Sequence, residues 1–192
     1  MRGALVLSLL LVSGTAQAVT PPDKPPSQPQ PQKVESEEKL FAQLRHCSSA
    51  DDAHPIEAKL QAMFRASNSP SIDLLMTRAL AAQGAGDGKT ARRLAEAVTN
   101  IAPNYAEGWH FRATLEQGAG EDTAALVSLQ KTVLLNPRQF TALGELGDML
   151  QDYGDKAGAL KLYRRALDLD PQLEGAAQKV RELTQSVEGR DI

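Results

Sequence analysis

The chain has 192 residues, a formal charge of −3 and no basic run, a balance that argues against a nucleic-acid footprint. A single cysteine, Cys47, excludes an internal disulfide. It leaves pairing with another chain or a half-buried apolar position, and the second is expected.

Taken in chain order, the first segment carries Arg2, the apolar run "ALVLSLLLVSGT" and the small-x-small triplet Ala16-Gln17-Ala18. This is the pattern of an export signal, and cleavage is expected after Ala18. The apolar run is too short to remain as a membrane anchor, so no stable membrane insertion is expected after cleavage. Residues 19–34 follow, with Pro21, Pro22, Pro25, Pro26, Pro29 and Pro31. Proline fixes φ and removes backbone donors, so this tract is expected to be an extended, disordered linker.

Two helical patterns come next, within residues 35–71. Leu40, Phe41 and Leu44 share one face, and Ile56, Leu60, Met63 and Phe64 share another behind Pro55, a residue suited to a helix start. Together they predict a degenerate leading helical pair.

From residue 72 the chain repeats. Pro103, Pro137 and Pro171 are each 34 residues apart. Blocks 72–105, 106–139 and 140–173 align without a gap. The fourth slot reads Leu75, Trp109, Leu143, and the eighth reads Ala79, Ala113, Gly147. The fifteenth reads Gly86, Gly120, Gly154, each followed by an acid. The twentieth reads Ala91, Ala125, Ala159, and Tyr163 fills the twenty-fourth in the last block. Small residues let two helices approach, glycine permits the turn between them, and the acid suits the N-terminus of the second helix. Proline then stops that helix. Residues 174–192 hold a last apolar stripe of Ala176, Val180, Leu183 and Val187, which predicts a capping helix and a short tail.

This pattern resembles the tetratricopeptide repeat (TPR), a 34-residue helix–turn–helix unit. Residues 140–173 carry it most fully, with Leu146, Gly147, Leu150, Gly154, Ala159, Tyr163, Ala166 and Pro171. The resemblance implies an all-α, right-handed TPR solenoid with a C-terminal capping helix. It also implies a concave groove lined by the first helix of each block. The groove positions are then Met76 and Leu80; Glu107, His110 and Thr114, with Phe111 nearby; and Asp148 and Gln151, with Glu145 nearby. The lysine and asparagine positions of TPR domains that clamp acidic chaperone tails are absent from these slots. A peptide or helix with an apolar anchor and a basic end is the expected ligand. Arg112 and Glu116 occupy packing slots one helical turn apart, which predicts a partly buried ion pair.

Gly88-Lys89-Thr90 ends like a phosphate-binding loop, but the glycine that should stand five residues before Gly88 is absent: Gln83 is there. The repeat places these residues at the start of a second helix instead. His46, His54 and His110 fall in different helical units without ligand spacing. No catalytic site, metal or cofactor is expected. The sequence resembles short exported TPR proteins of Gram-negative bacteria. That implies a periplasmic adaptor or assembly factor with a protein partner, or alternatively a self-associating spacer.

Overall fold

The computed structural model describes the backbone of residues 31–189 and the side chains of residues 36–189. The expected export signal lies outside them, as does most of the expected linker. Within the described residues the chain forms nine α-helices and no strand. Helix α1 spans Pro31–Arg45 and α2 Ala50–Arg65, followed by α3 Pro70–Gly84, α4 Gly88–Ile101 and α5 Ala106–Gly118. Then come α6 Asp122–Leu135, α7 Phe140–Asp152, α8 Lys156–Leu169 and α9 Ala176–Glu188.

The repeat is visible in the backbone. In each of three helix pairs the turn glycine is left-handed, with φ of 76° at Gly86, 73° at Gly120 and 86° at Gly154. Only a residue without a Cβ adopts this conformation at little cost. The next N–H reaches back to close the first helix: Asp87 to Ala82, Glu121 to Glu116 and Asp155 to Leu150, at 2.8–2.9 Å. This is the Schellman closure, which satisfies carbonyls that a helix end leaves open. Asp87 and Asp155 then cap the second helices, accepting from Thr90 N at 3.0 Å and Gly158 N at 2.8 Å. Glu121 is one methylene longer, makes no cap, and pairs with Arg92 of the preceding second helix instead. Pro103, Pro137 and Pro171 each stand two residues beyond α4, α6 and α8.

Close approach follows from the small residues. Ala79, Ala91, Ala113, Ala125 and Ala159 are fully buried. Gly147 lies against the ring of Tyr163, where an added Cβ would stand 3.1 Å from the aromatic carbons. Helix α4 packs on α3 and α5, α6 on α5 and α7, and α8 on α7 and α9. The three pairs thus form one row, and α9 closes it by burying Ala176 and Leu183 against Ala159, Leu160 and Tyr163. Trp109, expected as core filler, is half-buried and donates Nε1–H to the Pro103 carbonyl at 2.9 Å.

The first two helices depart from expectation. Helix α1 begins at Pro31, inside the tract expected to be extended. Helix α2 begins at Ala50, so Pro55 lies within it rather than at its start. The start is set by Ser49, whose Oγ accepts from Asp52 N at 3.2 Å and donates to the Asp52 carboxylate at 2.7 Å. The pair was expected to lead the row. Its apolar face instead turns to the far end of the molecule, where Phe41, Leu44, Ala53 and Leu60 pack with Phe140, Leu169 and Leu173. Helix α1 lies on α8, and α2 touches α5. Three of the chain's four phenylalanines meet here, with Phe41, Phe64 and Phe140 centroids 6.4–6.5 Å apart. Edge-to-face rings at this distance attract beyond simple burial. Cys47 is half-buried at the border of this cluster. Burial and the nearby carboxylates of Asp52, Asp170 and Glu57 push its thiol pKa up, which weakens it as a nucleophile.

Candidate functional inner face

The first helices α3, α5 and α7 turn one side away from their partner helices, and this inner face is the candidate site. Its floor near the start of α5 and α7 is a polar network. His110 Nε2 lies 2.9 Å from Glu145 of α7, and its Nδ1 lies 3.6 Å from Glu107 of α5. Gln139 donates to Glu107 at 3.0 Å. Gln61 of α2 donates to the Gln139 and Thr141 oxygens, both at 3.3 Å. Burial opposes a charge on His110, but hydrogen bonds and charge from Glu107 and Glu145 outweigh it and push the pKa up to about 10. His110 is therefore a cation at neutral pH, held between two carboxylates. Beside it lies an open cleft of about 540 Å³ between α2 and the inner face, lined among others by His54, Glu57, Gln61, Glu107, His110 and Glu145.

The remaining groove positions divide by burial. Leu80, Thr114 and Asp148 are exposed, with Leu80 at 43%. Glu145 is half-buried by its contact with His110. Gln151 is half-buried too, and its Oε1 is buried without a hydrogen-bond partner. Met76 and Phe111, expected on the groove, are not available there. Both are 6% exposed and belong to the core that joins α3, α4 and α5, with Ile72, Ala79, Ala95 and Val98. The neighbouring alanines are small, so these larger side chains fill the space between the helices.

Between the helices of the second pair, Arg112 Nε donates to Glu116 at 2.7 Å, and Ser128 Oγ donates to the other carboxylate oxygen at 2.6 Å. Glu116 is 4% exposed, while Arg112 reaches solvent over the Trp109 ring, 5.5 Å from its centroid. The ion pair expected from the two packing slots is thus present. Ser128 is the member that sequence reasoning missed, because it lies on the partner helix. Gly88, Lys89 and Thr90 are the first residues of α4. Among the described residues, no group of three His, Cys, Asp or Glu side chains is placed to hold a metal ion, and no helix is long and apolar enough to cross a membrane.

No protein-family model matches the chain. A TPR repeat-containing protein of Rhizobium etli is 28% identical over 152 residues, which cover 79% of this chain and 74% of that protein. Among solved structures, the first TPR of Spaghetti (RPAP3) bound to an HSP90 peptide superposes with a TM-score of 0.55 at 19% identity. It covers 61% of this chain and 93% of that one. The Yersinia enterocolitica type III secretion chaperone SycD, in complex with a peptide of the translocator YopD, gives 0.55 at 13% identity, covering 62% and 95%. The fold is a TPR-like helical repeat. In TPR terms, α3–α4, α5–α6 and α7–α8 are the three repeats and α9 packs on the last of them. The α1–α2 hairpin is an addition that packs on the start of α7 and the end of α8, at one end of the inner face.

Proposed function

We propose that the protein is an exported interaction module that holds a peptide or helix of a partner protein on its inner face, as an adaptor or assembly factor in the bacterial envelope. The observation that carries this reading is the exposed run of Leu80, Thr114 and Asp148 along three successive first helices. Such a row of parallel helices offers an extended surface and no enclosed reaction chamber. The peptide complexes formed by two of the structural relatives support the same kind of ligand. The basic Arg2, the apolar run after it and the small-x-small triplet Ala16-Gln17-Ala18 support export, with the periplasm as the destination.

The face is apolar at Leu80 and acidic at Asp148, which accepts from Tyr163 Oη and lies 3.4 Å from Lys179, so a partner with an apolar anchor and a basic end would take the place of Lys179. The test is photo-crosslinking in cells from position 80, followed by mass spectrometry. Position 80 is chosen because Phe111 is buried and reports on the core. Capture of one envelope protein, lost on Asp148→Lys, is expected. Recovery of only its own chain would replace this reading with self-association. That second reading has its own observation: Ile101, Val127 and Leu134 on the second helices are 66%, 55% and 71% exposed. Light scattering separates the two. Leu183 is 3% exposed against α8, so charging it perturbs the fold and does not report on pairing.

A further inference from the structure

The α1–α2 hairpin lies over one end of the inner face, at the starts of α5 and α7, and leaves Leu80, Thr114 and Asp148 uncovered. Three groove residues, Glu107, His110 and Glu145, line the cleft beneath α2, and Gln61 of α2 bonds to Gln139 and Thr141 beside them. The apolar stripe of α2 is Ile56, Leu60 and Phe64, one residue per turn, set toward Phe140 and Leu173. We propose that α2 is a built-in, displaceable occupant of this end of the inner face. The partner it yields to is an amphipathic helix of the same chemistry: an apolar stripe ending in an aromatic ring, with an amide or hydroxyl beside it. This rests on the groove reading above and adds what the ligand looks like and what competes with it.

Three features make the hairpin separable from the row. It joins α3 through residues 66–69 only, and Ser67 N and Oγ donate to the Asp73 carboxylate at 3.0 and 2.6 Å, so a released hairpin stays tethered at a fixed joint. Its rim contacts are polar and replaceable by water. Arg138 pairs with Glu37 at 3.4 Å and with Glu38, and its guanidinium lies 4.0 Å from the Phe41 centroid. Gln172 donates to the Cys47 carbonyl at 3.1 Å, and Tyr105 Oη donates to the Arg65 carbonyl at 2.6 Å. Contacts of this kind add little net stability each, because water takes their place on release. Finally, the interface contains a like-charge pair. Glu57 of α2 meets Asp170 at the end of α8, and the Asp170 Oδ2 is buried with no donor unless the two share a proton. That pair opposes closure. The hairpin also buries Phe41, Leu44 and Leu60 fully with Phe140, so it yields only to a helix that covers Phe140 and Leu173 in its place.

The test uses the full chain with Cys47→Ser, Gln61→Cys and Thr141→Cys, joined by a short bis-maleimide that holds α2 on α7. The probe is a fluorescent synthetic peptide of residues 36–66, read by anisotropy. Arg138→Ala, which removes the rim contacts to Glu37, Glu38 and Phe41, should bind the peptide at least tenfold tighter than the unmodified chain. The linked protein should bind at least tenfold weaker than its unlinked form. Circular dichroism melts confirm that each form is folded. Equal binding by all forms, or binding by none, overturns the proposal. Partner capture from position 80 that persists in the linked protein would also overturn it, while leaving the adaptor reading intact.

Discussion

Glu116 shows how a single buried carboxylate can be tolerated between two helices. It sits where TPR repeats place an apolar side chain, yet both its oxygens are engaged, by Arg112 and Ser128. A buried charge that loses its partner is costlier than the pair was stabilising. Arg112→Ala should therefore destabilise the protein by about 2–3 kcal/mol, and Ser128→Ala by about 1–2 kcal/mol, in urea unfolding. The double change Arg112→Leu with Glu116→Leu should recover most of the loss. A double variant no more stable than Arg112→Ala would show that the site needs charge for its packing. The i, i+4 half of this network was legible in the sequence, because helical spacing alone brings Arg112 and Glu116 together. The Ser128 half was not, because its contact spans two helices.

The three helix pairs share a length and a turn, but their second helices start differently. Asp87 and Asp155 cap their helices, and Glu121 does not. A side chain must be short to fold back onto the N–H three residues on. Asp155→Ala should cost about 1 kcal/mol through the lost cap. Glu121→Ala should cost less, because it loses only the surface pair with Arg92. Denaturant midpoints of the two variants check this order, and a reversed order would mean that the Arg92 pair ties the repeats together. Period, turn glycine and stop proline were all legible, since each acts within a few residues. The distinction between aspartate and glutamate at one slot was legible as well, but sequence reading treated both as generic acids.

Across the whole molecule, two contacts depend on protons, one between α5 and α7 at His110 and one between the hairpin and the row at Glu57 and Asp170. His110 has its pKa raised from 6.5 to about 10 by Glu107 and Glu145, against the effect of burial. A raised histidine pKa gives stability that is full below about 6.5 and is lost as pH rises toward about 10. Glu57 and Asp170 both have raised carboxyl pKa values, chiefly through burial and then, for Glu57, through each other's charge. Groups of this kind also release stability as pH rises through their folded pKa. The melting temperature should therefore fall from neutral pH toward pH 10, and His110→Gln should flatten that slope. Glu57→Gln should raise the melting temperature at pH 8 by removing one charge and offering a donor to Asp170, with little gain at pH 4. Melting curves of the three proteins across this range decide it, and parallel slopes for all of them would remove His110 from the account.

The sequence by itself determined the helical repeat, its 34-residue period, its turns and the capping helix, because these depend on the spacing of alanine, glycine and proline along the chain. The resemblance to TPR repeats pointed to Leu80, Thr114 and Asp148 as groove positions, and these three are exposed. Only the tertiary structure decided where α1–α2 goes. Its amphipathic pattern states that it must cover something apolar but carries no address, and a leading repeat and a hairpin folded back on Phe140 and Leu173 have the same stripe. Phe140 and Leu173 supply that address from more than 70 residues away. The same packing took Met76 and Phe111 into the core and turned His110 from an exposed contact into a clasped cation. Burial is a property of neighbours in space, which no local spacing records.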